Sequence, residues 1–582
     1  MSAEHLITEH LDLWTSAVTY NNGRGRGNNG EPELTGIDKL RELILELAVR
    51  GKLVPQDPED EPASKLLERI EGEKARLYKE GKSKKPKKLP EIEDEEQPFS
   101  VPKSWVWKRL GDLGFTQTGT TPSKNDSNYY GDFIPFVKPA DILGWKVRYR
   151  SEGLSEEGKK ALGKWGEKGS ILMVCIGTIG KCGILTEEAS FNQQINAVTP
   201  YDRSSSRFIL QCLASRYFQN EAWERSSSTT IHILNKSKWE RIPVPVPPIE
   251  EQTRIAEKVD ELMALCDRLE QQTSDQLSAH GTLVDTLLDT LTRSQDAAEL
   301  AENWARLAAH FDTLFTTEHS IDRLEQTILQ LAVMGRLVPQ DPDDEPASKL
   351  LERIEGEKVR RYKEGEIKKP KQSQEVEEGE KPFSLPKGWA WSRIGQLTTQ
   401  VTDGVHKTPD YKDKGVPFIS VKDINGKTVS FEEAKFISEE QHKEINRRCN
   451  PEKNDILICR IGTLGRPTIV DTERPFSIFV SVGLLKYPDH LVVPEYFHLA
   501  LKSPFLAAQY HKVKAGGSHT NKLNLGDIPK LVIPLPPYPE QRRISEKVNE
   551  FMAICDRLKA RLNEAGETQT RLAETLVKQA VA

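Results

Sequence analysis

One segment of this chain is written twice. Residues 51–81 read GKLVPQDPEDEPASKLLERIEGEKARLYKEG and residues 335–365 read GRLVPQDPDDEPASKLLERIEGEKVRRYKEG, identical at 27 of 31 positions at an offset of 284 residues. A second block repeats downstream, IPVPVPPIEEQTRIAEKVDELMALCDRL from Ile242 and LVIPLPPYPEQRRISEKVNEFMAICDRL from Leu531. Between these blocks the two copies differ heavily. A period this long excludes a solenoid or a propeller. It is the duplication of a whole domain with its helices, so one pseudo-symmetric frame presents two different surfaces.

The frame is helical. Ile37, Leu40, Ile44 and Leu47 recur at three- and four-residue spacing, and Ile321, Leu324, Ile328 and Leu331 repeat them, which puts an apolar stripe on one helix face. Prolines in LVPQDPEDEP break that helix, and Ser64 is the expected N-cap of the next. Ile255, Val259, Leu262, Cys266 and Leu269 in the first copy, and Ile544, Val548, Phe551, Cys555, Leu558 and Leu562 in the second, form the a/d seam of a long helix. Such helices of about 40 residues extend roughly 60 Å. Two of them on one chain are expected to pair as an antiparallel coiled coil.

Between the helical blocks, runs such as DFIPFVKPADI and SILMVCIGTIGKCGIL suit short strands joined by glycine turns. The expected fold class is therefore α+β, with two globular domains in pseudo-twofold tandem repeat, separated by long helices. The expected segments are a flexible N-terminal stretch (1–36), a first helical region and linker (37–97), a first domain (98–248), a first long helix (249–292), a connector with the second helical region and linker (293–381), a second domain (382–537) and a second long helix (538–582). The basic-then-acidic run KSKKPKKLPEIEDEEQPF reads as a solvated linker.

No apolar run approaches the length of a bilayer span, and MSAEHLITEHLDLWTSA lacks the basic and apolar pattern of a signal peptide, so a cytoplasmic protein with no membrane partner is expected. The seven cysteines include no CxxC pair, which supports neither a metal site nor a disulfide framework. A net charge of −6 argues against a chain coated in nucleic acid, but a local basic cleft needs only a few Lys and Arg.

The chemistry in the sequence points to recognition rather than catalysis. A methyltransferase acting on a flipped base would need an Asn/Asp-Pro-Pro-Tyr/Phe motif, and Leu535-Pro536-Pro537-Tyr538 lacks the polar first residue. A motor would need GxxxxGK[ST], and Gly177-Thr178-Ile179-Gly180-Lys181 is too short. That run recurs as Gly462-Thr463-Leu464-Gly465-Arg466. It reads either as a tight turn between strands or as a turn whose backbone N–H groups, with Lys181 or Arg466, meet a phosphate. Trp105, Trp107, Trp389 and Trp391 alternate as strand residues and read as packing anchors.

Two loops in each domain carry residues suited to DNA. One holds Thr118, Thr120, Thr121, Ser123 and Lys124, with His406, Lys407 and Thr408 in its counterpart. The other runs from Ser226 to Lys236, with Thr229, Thr230, His232, Asn235 and Lys236; its counterpart holds Ser518, His519, Thr520, Asn521 and Lys522. Lys138 and Lys422 complete the candidate set. Hydroxyl, amide and basic side chains in glycine-bearing loops can approach bases and phosphates closely, although ordinary polar loops share that composition. These loops change between the copies while their flanks stay fixed, which favours recognition.

Three repeated blocks carry a family resemblance: LxxLAVxGxLVPQDPxDEPASxLLxRIExEK before each domain, PFxxPxxWxWxRxG at its start and PxPPxxEQxxIxxKV at its end. The chain resembles the specificity subunit of type I restriction-modification enzymes over nearly its whole length after residue 36. That resemblance implies a non-catalytic subunit whose two domains each read one half of a bipartite site on double-stranded DNA. It implies that the long helices fix the gap and dock two methyltransferase (modification) subunits, and that restriction/translocase subunits join for cleavage. It places S-adenosylmethionine, ATP and Mg2+ on those partners, with no cofactor bound by this chain. A fused methyltransferase or nuclease, or a bare coiled-coil scaffold, are the competing readings; the first lacks its motifs and the second would not need two large dissimilar domains.

Overall fold

The computed structural model describes residues 3–20, 32–81, 88–123, 125–149, 152–227, 231–294, 297–370, 373–514 and 521–581. It divides into two compact units, Met1–Leu277 with Asn563–Ala582, and Ser278–Leu562. Both boundaries fall inside a long helix. Each long helix thus belongs to both units instead of forming the separate segment expected from the sequence.

The first unit begins with α1 (Ala3–Thr8) and α2 (Leu11–Ser16). These correct the expectation of a flexible stretch over residues 1–36. Ile7 and Trp14 are completely buried, and the Gly36 N–H donates to the Ala17 carbonyl at 2.9 Å. A Cβ on Gly36 would lie 2.3 Å from the Trp14 carbonyl oxygen, so glycine permits the close approach. The glycine-rich run 21–31 lies outside the described residues.

Helix α3 (Thr35–Val49) buries the apolar stripe read from the sequence. Ala573 and Val577, from the far end of the chain, complete the same core. Helix α4 (Ala63–Lys79) follows, with Pro62 at its N-cap and no side-chain cap; Ser64 lies inside the first turn and is not the cap. Pro62 is set extended with ψ near 145°, which ends the preceding loop without help from a hydroxyl.

The first domain opens and closes through one two-stranded ladder, β1 (Val106–Arg109) against β7 (Pro243–Val246). Its main sheet is antiparallel in the order β2 (Gly114–Thr118), β6 (Ile195–Pro200), β4 (Ile171–Val174), β5 (Cys182–Ile184). Strand β3 (Tyr130–Val137) centres a smaller sheet, with Ser190–Phe191 parallel on one side and Gly153–Leu154 antiparallel on the other. Helices α5 (Ser206–Ala214) and α6 (Arg216–Glu224) pack the domain onto α3, and α7 (Ile249–Arg293) begins where β7 ends.

The second unit repeats this plan. Helix α8 (Ala297–Ala309) precedes α9 (Glu318–Val333) and α10 (Ala347–Lys363), the counterparts of α3 and α4. The ladder is β8 (Ala390–Arg393) with β14 (Val532–Leu535). The main sheet runs β9 (Gln400–Asp403), β13 (Val482–Lys486), β11 (Ile456–Cys459), β12 (Gly465–Ile469), and β10 (Val416–Ile419) centres the smaller one. Helices α11 (Pro494–Lys502) and α12 (Pro504–Val513) precede α13 (Tyr538–Val581). Val284, Leu288 and Leu291, from the end of α7, sit in this unit's core with Ile321 and Leu324. They fill the role that Ala573 and Val577 of α13 fill in the first unit.

The three repeated motifs meet in each unit. The Trp105 indole donates to Glu251 at 2.9 Å, Gln56 donates to the other oxygen of that carboxylate at 2.7 Å, and Arg254 grips Asp60 through two bonds of 2.9 and 2.5 Å. In the second unit Trp389 and Gln340 donate to Glu540 at 3.0 and 3.1 Å, and Arg543 reaches Asp344 at 2.6 Å. Trp105 and Trp389, each just before its domain's first strand, thus tie the domain entry to the exit helix, while Trp107 packs on Phe99 and Tyr217 and Trp391 on Phe383 and Phe505. Burial pushes the Glu251 and Glu540 carboxyls up, against the pull of the indole and amide donors. Among the described residues no helix is long and apolar enough to cross a membrane.

Candidate nucleic-acid interface

In each domain one edge of the main sheet gathers the loops singled out in the sequence. Antiparallel pairing brings together the end of β2, the start of β6, the end of β4 and the start of β5. The loop after β2 is held there by the Gly119 N–H, which donates to the Ile195 carbonyl at 3.0 Å, and by Thr121, which donates to Gln193. The Gly177–Lys181 turn joins β4 to β5. Gly177 and Gly180 take φ of +82° and +107°, a left-handed backbone that glycine adopts without strain. The turn also touches the second candidate loop, because the Gly177 N–H donates to the His232 carbonyl at 3.1 Å and Leu234 donates to Cys175 at 2.8 Å.

The second domain repeats the contacts between turn and loop. Gly462 donates to the Asn521 carbonyl at 3.1 Å and Leu523 to Arg460 at 2.8 Å. The sequence offered the glycine turn and the polar loop as separate features; the fold makes them neighbours on one surface.

Beneath the loops the two domains use opposite chemistry. In the first, Thr118 closes β2, pairs with Asn196 of β6 and donates to its amide oxygen at 2.7 Å. Cys175 follows β4 beside them, and burial pushes its thiol up to about 12, so it stays neutral. In the second domain the corresponding residues are Asp403, Gly483 and Arg460. Asp403 and Arg460 are both almost fully buried and form an ion pair. Arg448 joins Asp403 at 2.7 Å and His406 at 3.2 Å. Arg460 also donates to the Leu523 and Val480 carbonyls, each at 3.2 Å, so one guanidinium bridges three loops. Glycine at 483 leaves room for it, since a Cβ there would lie 3.1 Å from the arginine Cδ.

The candidate residues separate by environment. Ser123, Lys181, Lys407, Thr408, Arg466, Asn521 and Lys522 are exposed at the loop-bearing edge. His406 is exposed, with its ring turned toward Asp403. His232 is half-buried, accepts or donates with Ser226 at 3.1 Å and stacks on Trp223 with centroids 4.2 Å apart. Four candidates are engaged inside their own domain. Asn235 caps a short helix by accepting from the Lys238 N–H at 3.0 Å, Lys236 pairs with Glu240, Lys138 pairs with Glu152, and Lys422 donates to the Glu433 carbonyl at 3.0 Å. Thr118 and Thr121 are bonded within the edge, and the Thr120 hydroxyl is buried without a partner. Lys124, Thr229, Thr230, Ser518, His519 and Thr520 lie outside the described residues.

Sequence reasoning missed other residues at this edge. Trp223 is 51% exposed, and Ile231 and Ile233 are 56% and 42% exposed beside it, an apolar patch where polarity was expected. Asn192, Gln193 and Gln194 bracket the first loop. The polar run FNQQIN between apolar strands was the available signal for them. Arg448 and Arg460 had none, because their partner Asp403 is distant in sequence.

Residues 102–279 and 386–566 match the family model of the type I restriction modification DNA specificity domain. The chain is 38% identical over 609 residues to the type I restriction enzyme EcoEI specificity subunit of Escherichia coli, and 37% identical over 601 residues to the EcoAI specificity subunit of the same species, with 100% of each chain covered. In fold it is similar to a solved structure from work on the complex assembly and conformational transition of the type I R-M system, with TM-score 0.52 and 18% identity over 83% of this chain and 99% of that one. With two matched DNA specificity domains and full-length relatives above 30% identity, this chain belongs to the family of type I restriction enzyme specificity subunits, which recognise DNA and are not themselves catalytic.

Proposed function

We propose that each domain lays its loop-bearing sheet edge on one half of a bipartite, asymmetric site in double-stranded DNA. The observation that carries this reading is the convergence of the variable loops on one edge in each domain, over a frame whose three motifs meet through the same residue pairs in both units. Different residues on a common frame read different half-sites. Exposed Lys181, Arg466 and Lys522 meet phosphates, and the loop amides and hydroxyls read base edges. The long helices pair with each other and set the gap between half-sites. Two modification subunits supply methyl transfer from S-adenosylmethionine, and restriction/translocase subunits use ATP and Mg2+, while this chain binds no cofactor. The complex works in the cytoplasm.

The test is to replace residues 101–245 with the corresponding domain of a relative and sequence the methylome of cells carrying the chain and its modification subunit. One half-site changes and the other persists. A change in both halves, or in neither, would overturn the modular reading.

A further inference from the structure

The two domains put different side chains at matching places on the loop-bearing edge. Ile233 bridges to Ile176 beside the glycine turn of the first domain, and Lys522 makes the same bridge to Ile461 in the second. His232, whose carbonyl accepts from Gly177, answers to Asn521, whose carbonyl accepts from Gly462. Trp223 and His511 stand equally far along their helices from the capping serines, Ser215 and Ser503. Glu224 answers in the same way to Lys512. The second domain thus offers two cations and an imidazole where the first offers an isoleucine, a carboxylate and an indole.

Packing does not require the apolar side chains. Trp223, Ile231 and Ile233 are all exposed, and the second domain builds the same turn and bridge with His511 and Lys522 at two of these places. Single exposed apolar residues are ordinary, but these three lie together around His232. They are also held in place. The indole stacks on the His232 ring, His232 bonds to Ser226 at 3.1 Å, and the His232 carbonyl is tied to the turn. A surface fixed beforehand loses little freedom when a ligand arrives.

The chemistry of the patch selects what part of DNA it can meet. Laid over a phosphate, it would strip water from a charge and return no hydrogen bond, and Glu224 would repel that charge. A wedge between base pairs would unstack them, but one face of the Trp223 ring is already taken by His232. In the major groove the apolar group on the base edges is the C5-methyl of thymine. We propose, resting on the function given above, that Trp223, Ile231 and Ile233 read a thymine of the first half-site through its C5-methyl group.

Replacing thymine by deoxyuridine, one position at a time, removes the methyl group and leaves base pairing intact. The assembled complex, titrated against such duplexes in the half-site that the domain exchange assigns to the first domain, should bind about three- to tenfold more weakly at one position. Trp223→His with Ile233→Lys, which copies the second domain, should bind the thymine and deoxyuridine duplexes equally and steepen the salt dependence by about 1. Trp223→His alone should narrow the gap, and Trp223→Phe, which keeps an apolar ring, should retain it. A first half-site without thymine, a wild type indifferent to deoxyuridine at every position there, or a gap that persists in the double variant would overturn the inference and leave the proposed function standing. So would 2-aminopurine fluorescence that rises on binding at the affected step and is lost in the double variant, since that marks a wedge. A wild-type complex that prefers no duplex sequence would overturn both.

Discussion

The two recognition domains share a sheet order and a loop arrangement, yet they hold the loops with different forces. In the first, neutral groups meet at the edge: Thr118 with Asn196 beside Cys175, and lower in the sheet the Ser170 and Thr199 hydroxyls at 2.7 Å. In the second, ions occupy both places: Asp403 with Arg460, and Asp455 with Lys486 at 2.7 Å. Loss of one member of a buried neutral pair leaves a polar group unsatisfied, at about 1–3 kcal/mol, whereas loss of one member of a buried ion pair leaves a charge short of its partner and costs more. One backbone plan therefore accepts either solution, and the choice decides how each domain responds to mutation, pH and salt.

The largest effect should come from Arg460→Ala. It removes the buried partner of Asp403, leaves the carboxylate to the half-exposed Arg448 at 2.7 Å, and should cost up to about 3 kcal/mol, concentrated in the second domain. Cys175→Ala, at the corresponding place, should cost about 1 kcal/mol. Hydrogen exchange resolved by peptide separates the two domains in the intact chain. Transplanting the neutral set, Asp403→Thr with Arg460→Cys and Gly483→Asn, should recover most of the loss. A triple variant as unstable as Arg460→Ala would mean that the two solutions are not interchangeable.

The second effect is on pH. Burial raises the Asp455 carboxyl from 3.8 to about 6, against the pull of Lys486. The folded state therefore holds this proton more tightly than the unfolded chain does. Protonation favours folding below about 4, and that advantage is lost as pH rises through 6. The stability of the wild type relative to Asp455→Asn should therefore increase as pH falls from 7 to 4, in exchange of second-domain amides. The hydroxyl pair in the first domain does not ionise in this range, so Ser170→Ala should show no such slope.

A smaller effect concerns DNA. Lys181→Ala and Lys522→Ala should each weaken binding of the assembled complex to all sequences by about tenfold and reduce the salt slope by about 1. Discrimination among single-mismatch duplexes should stay intact. Titrations at several salt concentrations check this, and a change confined to one half-site's mismatches would reassign the lysine to base reading.

The smallest effect tests a polarity reversal in the frame. Arg41 of α3 pairs with Glu270 of α7 at 2.5 Å, and at the matching place Glu325 of α9 pairs with Lys559 of α13 at 2.8 Å. Exchanging Arg41→Glu alone should destabilise the first unit by less than about 1 kcal/mol. Adding Glu270→Lys should restore it, as read by the same exchange measurement.

How much of this was legible beforehand follows from the range of each interaction. The α3 stripe and the apolar spacing of the long helices are local patterns, and Ile255, Val259, Leu262 and Cys266, like Ile544, Val548 and Cys555, are buried in their own unit's core; Trp105 and Trp389, read as strand residues, sit just before the strands. The N-terminal helices were missed because the glycine-rich run after them drew the whole stretch into one reading, although Leu6, Ile7, Leu13 and Trp14 carry a helical spacing of their own. Asn235, Lys236, Lys138 and Lys422 looked like free polar groups, but their partners cap, pair and accept within the domain.

By itself the sequence determined the duplication, the helical frame, the two α+β domains and the family, because identity at a fixed offset and apolar periodicity survive as linear patterns. Only the tertiary structure decided which loops share a surface and what holds them. The turn at Gly177 and the loop at His232 are 55 residues apart in the chain and one hydrogen bond apart in space. Likewise, nothing near Arg460 in the sequence names Asp403. Antiparallel pairing assembles these neighbours from strand ends, and the charge beneath each loop acts through space rather than along the chain.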